Sequence, residues 1–151
     1  MATMPPQDSI EAQLMAYIAE HESELIEFCR KLLQTPSVNS VDDELAIAKV
    51  ITHYAHSMGL VTEIAGLSAQ RPNAIVHTEE QGDTGLLLIG HLDTVAPGDA
   101  QAWTYPPFSA AIANGKLYGR GAVDTKAGMA SAIIALAALK VVPDSLHKGR
   151  A

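Results

Sequence analysis

The chain has little of what would assign it quickly to a class. It has one cysteine in 151 residues, so no disulfide can form within it, and a lone thiol fits a reducing compartment. It has no excess of positive charge. The formal net charge is −7 and no basic run appears, which argues against a nucleic-acid footprint. The opening stretch MATMPPQDSIEAQ has no basic segment followed by an apolar core, so it does not read as a secretory signal. The longest apolar stretch, around residues 130–142, includes Ser131 and Lys140 and is too short to span a bilayer. Neither an internal repeat nor a low-complexity tract is visible. These absences leave a cytoplasmic globular protein with no nucleic-acid or membrane partner as the expectation. The length predicts one domain, and a hydrophobic fraction of 48% can supply a core without disulfides or a metal to hold it.

The apolar spacing outlines the elements. Ile10, Leu14, Tyr17, His21, Leu25, Phe28 and Leu32 recur at helical intervals and predict one long amphipathic helix. Cys29 falls inside this pattern and reads as a buried, inert thiol. The helix stops before QTPSVNS, a turn sequence. Ser40 is placed to cap a second helix, with Asp42, Asp43 and Glu44 in its first turn, where the helix dipole favours acids. Ile47, Val50, Ile51, Tyr54 and Met58 form its apolar face, and Gly59 is placed to end it. LVTEIAG, NAIVHTE and TGLLLIGHL follow as strands, the last apolar enough for burial on both faces. SAAIANGKLYGRGAV predicts a hairpin turning at Asn114-Gly115, and a helix over about residues 125–141 closes the order. The expected fold class is α/β, a mostly buried mixed sheet flanked by helices. In the tail VVPDSLHKGRA, residues 143–145 read as a helix exit and HKGRA as the start of a further strand.

Two short segments carry chemistry-bearing residues. The apolar run LLLIGHLDTV ends on His91 and Asp93. Strand side chains alternate, so positions i and i+2 point the same way. Both residues would then stand at a strand's C-terminal end, where α/β sheets bind ligands. A neutral imidazole is a good metal ligand, and an adjacent carboxylate can orient it. The second segment, GRGAVDTKAGMA, places Asp124 between a strand and the closing helix. Asp124 could simply cap that helix. Gly119, Gly121 and Gly128 around it imply close backbone approach, which is more than a cap requires. The other histidines complete no ligand pattern: His53 and His56 share a helix edge, His21 sits on an apolar stripe, His77 pairs with Glu79 on a strand face and His147 lies in the tail. Lys126 and Arg120 could steer an acidic substrate, although basic residues are more often simply solvated.

Taken together, LLLIGHLDTV and PPFSAAIANGKLYGRGAVDTKAGMA resemble the zinc-dependent aminoacylase and peptidase family, which includes acetylornithine deacetylase, succinyl-diaminopimelate desuccinylase and glutamate carboxypeptidases. HESELIEFCRKLLQTPSVNS resembles that family's opening helix and turn, and WTYPPFSA its loop before the hairpin. The resemblance runs from about residue 10 to the end. It implies that His91 and Asp124 are metal ligands, Asp124 bridging two ions, and that Asp93 is the active-site acid supporting His91. It implies two zinc ions, with cobalt or manganese as possible substitutes, and a metal-activated bridging water that hydrolyses the amide of an N-acyl amino acid or a peptide. It also implies a Glu-Glu pair beyond the bridging aspartate, base and ligand respectively, and a separate lid or dimerisation domain that makes the full-length proteins homodimers. Residues 1–151 do not reach those positions. The chain reads as the N-terminal portion of a metallohydrolase catalytic domain, inactive by itself. The competing expectation is a non-catalytic truncated remnant or a partner-binding module. A purely structural metal site is weaker, since two or three ligands do not close one.

Overall fold

The computed structural model describes residues 6, 9–80 and 82–142. The tail expected to leave the last helix and begin a further strand, His147 included, lies outside the described residues. The order is α1 (Ile10–Glu20), α2 (Glu22–Leu33), α3 (Leu45–Ser57), β1 (Val61–Ala65), β2 (Asn73–His77), β3 (Ala111–Ala113), β4 (Lys116–Tyr118) and α4 (Ala127–Val141).

The helices make the core. Phe28, Cys29, Leu32 and Leu33 of α2, Ile47, Ile51 and Ala55 of α3, and Ala130, Ile133, Leu136 and Ala137 of α4 are buried in one cluster. Each large aliphatic or aromatic side chain removed from water contributes about 1.5–3 kcal/mol. Cys29 is buried, and burial pushes its thiol pKa up, so it is the inert thiol anticipated. Phe28 stacks on Tyr54 at 3.9 Å between ring centroids, tying α2 to α3. With the five residues before it, α4 is long and apolar enough to cross a membrane by length and composition. However, the backbone leaves helical geometry at Asp124 and Thr125, and α4 packs on both α1 and α2, the surroundings of a core helix.

Two boundaries differ from the sequence pattern. The single opening helix is two, broken at His21 (φ −101°, ψ 14°). There the imidazole Nδ1 donates to the Tyr17 carbonyl at 2.8 Å, and the ring stacks on Tyr17. The side chain thus competes for a carbonyl of the helix it would have continued. Ser40 does not cap α3. It takes φ 63°, and the helix begins at Leu45, whose N–H donates to the Asp43 carboxylate. Asp42 instead accepts from the Val38 N–H at 2.8 Å. Gly59 does end α3, with φ 79°. The Leu60 N–H reaches the Ala55 carbonyl at 3.1 Å and the Gly59 N–H that of His56 at 2.9 Å, the paired bonds that close a helix on a left-handed residue.

The α/β class holds, but the sheet is not one buried unit. β1 and β2 form one antiparallel pair, Val61 facing His77, and β3 and β4 another, Ala111 facing Tyr118. The β3–β4 turn falls at Asn114 and Gly115, both at positive φ, as a tight hairpin requires. Residues 86–91, expected as a strand buried on both faces, join no ladder among the described residues. Leu87 is 72% exposed and Ile89 87%. The segment lies over α4 above an apolar groove of about 340 Å³ that Val76, Met129 and Ile133 help to line. Gly90 permits this approach, since a Cβ there would meet Met129 Cγ at 2.9 Å.

Candidate metal centre

The centre is assembled where three loops meet. The first is the turn after α2. Ser37 Oγ donates to the Leu92 carbonyl at 2.7 Å, the Thr94 N–H donates to the Ser37 carbonyl at 2.8 Å, and the Asn39 N–H donates to the Thr94 carbonyl at 2.8 Å. These bonds hold residues 92–94 parallel to residues 37–39 and aim the His91–Asp93 segment. The third loop, residues 119–126, is drawn in by Gly121. Its φ is 87°, and a Cβ on it would stand 2.8 Å from Thr94 Cγ2. Only glycine satisfies both the conformation and the contact.

The result brings all three residues singled out in the sequence together. His91 Nε2 lies 2.8 Å from Asp124 Oδ1. His91 Nδ1 lies 2.9 Å from the Asp93 carbonyl and 3.2 Å from Asp93 Oδ1. The imidazole therefore bridges two carboxylates, one per ring nitrogen. Its pKa is raised, first by the hydrogen bond to Asp124, with burial opposing and the Asp93 carbonyl and both acidic charges adding. Asp93 is held below the ordinary carboxylate range, first by the Asn39 hydrogen bond, against a smaller opposing effect of burial. Asp124 does not cap α4. The residue before that helix is Lys126, and Asp124 has extended backbone angles (φ −127°, ψ 97°) that turn its carboxylate toward His91.

Sequence reasoning missed two residues. Asn39 donates through Nδ2 to Asp93 Oδ2 at 2.6 Å, and its own carbonyl oxygen accepts from Ser40 Oγ at 2.9 Å. That second bond fixes which end of the amide faces Asp93. The only signal for Asn39 was its place in a turn. The other is Lys126, expected to be solvated and found fully buried. Its Nζ donates to the Leu32 and Thr35 carbonyls, both at 2.8 Å, and so occupies acceptors at the C-terminal end of α2, where a cation is favoured. Burial lowers its pKa to about 8, against the opposing charge of Asp42. Lys126 is thus an anchor for the Asp124 loop, not a surface charge. His53 and His56 of α3 and His77 of β2 take no part in the centre.

The donor set suits a divalent cation in type and aim. With Nδ1 donating its proton to Asp93, the Nε2 lone pair faces the Asp124 carboxylate. The two atoms stand 2.8 Å apart and would be the pair to hold a metal ion. Among the described residues no group of three or more His, Cys, Asp or Glu side chains converges as a ligand shell, and His91 and Asp124 meet as a pair. A chamber of about 250 Å³ opens beside them, walled by Thr94, Val95, Arg120 and the 119–124 loop.

Residues 87–147 match the model of Peptidase family M20/M25/M40. The chain is 37% identical over 117 residues to succinyl-diaminopimelate desuccinylase of Blochmanniella pennsylvanica (strain BPEN), covering 76% of this chain and 30% of that protein. It is 34% identical over 116 residues to succinyl-diaminopimelate desuccinylase of Blochmanniella floridana, covering 75% of this chain and 29% of the relative. The chain thus spans about 30% of the length of the curated relatives it matches. The family match is to one segment of the chain, and that segment contains His91, Asp93 and Asp124.

Proposed function

We propose that this chain contributes part of the catalytic centre of a metal-dependent amide hydrolase acting on N-acyl amino acids or peptides, with N-succinyl amino acids as the first substrates to test. The observation that carries the reading is the bridged imidazole: His91 Nε2 stands 2.8 Å from the Asp124 carboxylate while Nδ1 is engaged by Asp93. His91 and Asp124 would hold the metal, zinc by preference and two ions in the complete centre. When bound, such ions lower the pKa of a water and polarise an amide carbonyl. The residues of the chain do the rest of what is assigned to it. Asp93 keeps the Nδ1 proton in place and so keeps Nε2 free as a donor. Asn39 and Ser40 keep Asp93 ionised and oriented, and Lys126 keeps the Asp124 loop against α2.

No general base is among these residues. Its loss alone lowers catalysis by roughly 10²–10⁴-fold, and two donors are fewer than the three protein ligands of a catalytic zinc site. The isolated chain is therefore inactive on this reading, and the whole protein works in the cytoplasm as a homodimer. The test measures amine release from N-succinyl and N-acetyl amino acids by the protein purified from its source, with intact mass recorded and a chelator and zinc added in turn. Hydrolysis that the chelator abolishes and zinc restores supports the reading. A protein of 16.0 kDa that binds no zinc and hydrolyses neither series would instead mark the chain as a non-catalytic remnant or binding module.

A further inference from the structure

The geometry points to an anion-binding subsite beside the metal centre, with Arg120 as the residue that recognises a carboxylate on the substrate. The inference rests on the hydrolase reading for its biological meaning, but its physical content is separate. Among the described residues, Arg120 is the only lysine or arginine lining the 250 Å³ chamber that also contains His91, Asp93 and Asp124. Its guanidinium is held over the Trp103 ring, 5.1 Å from the centroid, and Trp103 is itself fixed by its Nε1 donating to the Pro97 carbonyl at 3.0 Å. The Arg120 backbone is pinned as well, its N–H donating to the Pro107 carbonyl at 2.7 Å.

A cation positioned this firmly normally faces a carboxylate. Arg30 and Arg71 do so, on Glu27 and Glu44. Arg120 has no such partner among the described residues, and its Nε is buried without an acceptor. Neither acid of the centre satisfies it, because Asp93 and Asp124 are both turned to His91. Thr94, 3% exposed and on the same wall, also has a hydroxyl without a partner. Unsatisfied buried donors are costly, and the Thr94 hydroxyl and the Arg120 guanidinium, which wall one chamber, together suit an oxygen-rich anion. The ligand class is a short carboxylate-bearing acyl or amino-acid group, placed so that its amide end lies toward His91 and Asp124. The stacking on Trp103 fixes the plane of the fork, which makes arginine the suited residue here.

The test uses the 151-residue chain without metal, so that no hydrolysis is involved. The Arg120 Nε–H resonance is followed by ¹H–¹⁵N NMR during titration with sodium succinate at constant ionic strength, with neutral succinamide as the isosteric comparison. The expected result is a saturable shift of that resonance with succinate and none with succinamide. Affinity should fall roughly 10-fold or more in Arg120→Gln and be partly restored in Arg120→Lys, which keeps the charge and loses the fork. Thr94→Val keeps shape and removes only the hydroxyl, so it should weaken succinate without loss of melting temperature. If Arg120→Gln fails to fold, the wild-type comparison of succinate with succinamide still decides. An absent or non-saturating shift, equal shifts by both ligands, or undiminished affinity in Arg120→Gln overturns the subsite. A parallel zinc titration separates the two readings. Zinc bound with no succinate response removes the subsite alone, whereas succinate bound with no zinc response leaves the anion site in a chain that holds no metal by itself.

Discussion

The two carboxylates that flank His91 are chemically identical and differently held. Asp93 is 29% exposed in its side chain, accepts a 2.6 Å hydrogen bond from Asn39 and follows a segment bonded to residues 37–39. Asp124 is 85% exposed in its side chain, and its one hydrogen bond among the described residues is to His91. A carboxylate fixed on its far side can only orient its neighbour. One with a free oxygen facing solvent can still take up a cation. The roles of support and ligand proposed for the two acids follow this difference in restraint.

Substitutions can break that comparison, and His91 should give the largest effect. With alanine there, the nitrogen donor is gone and the two carboxylates lose their bridge. Zinc affinity of the chain, read by competition with a chromophoric chelator, should fall to that of a surface carboxylate. Affinity retained within roughly tenfold would place the donors elsewhere.

Next comes Asp124→Ala. It should cost at least the roughly 10–100-fold that even a supporting residue is worth to a metal site, while unfolding free energy stays within about 0.5 kcal/mol of wild type because the side chain is mostly in water. Asp93→Ala should also lower zinc affinity by about 10–100-fold. Unlike Asp124→Ala, it should reduce stability as well, by about 1 kcal/mol, since it removes the hydrogen bond from Asn39. Chemical denaturation and zinc competition on both variants form a crossed test, and a reversed pattern would exchange the roles of the two acids.

The smallest change is expected from Asn39→Ala. Losing this donor should raise the Asp93 pKa toward the ordinary value of 3.8 without removing the acid. Because the folded pKa is depressed, its stabilisation is present above that ordinary value and lost as pH falls through the folded value. The variant should therefore lose the extra stability above pH 3.8, and its acid unfolding should begin at higher pH. NMR titration of the Asp93 carboxyl checks the direction, and an unchanged titration would make Asn39 a bystander.

Much of this was legible because local rules decided it. Asn114-Gly115 turned a hairpin and Gly59 closed α3, since both needed positive φ and the residues allowing it were there. His91, Asp93 and Asp124 were found because their residue types and spacing are specific when the two segments are read jointly. Two of the failures share a cause, namely a partner far away in the chain. Nothing near Lys126 announces that the C-terminal carbonyls of α2 will take up its ammonium. Asn39 looks like any turn residue until residues 92–94 lie beside it. The break at His21 contains neither glycine nor proline, so the apolar period runs straight across it. Residues 86–91 have the hydrophobicity of a buried strand, but a strand is buried by neighbours on its edges and faces. Among the described residues only α4 and the groove beneath supply that.

Lys126 joins positions 94 residues apart in the chain, and this has a consequence for local opening. Its ammonium cannot leave the Leu32 and Thr35 carbonyls without exposing both, so the last turn of α2 and residues 121–126 should open together as one cooperative unit. Their amides should then share a hydrogen-exchange rate. A cation that holds Asp124 would slow exchange at the far end of α2 as well, and occupancy of the centre could be read from a helix that never touches the ion.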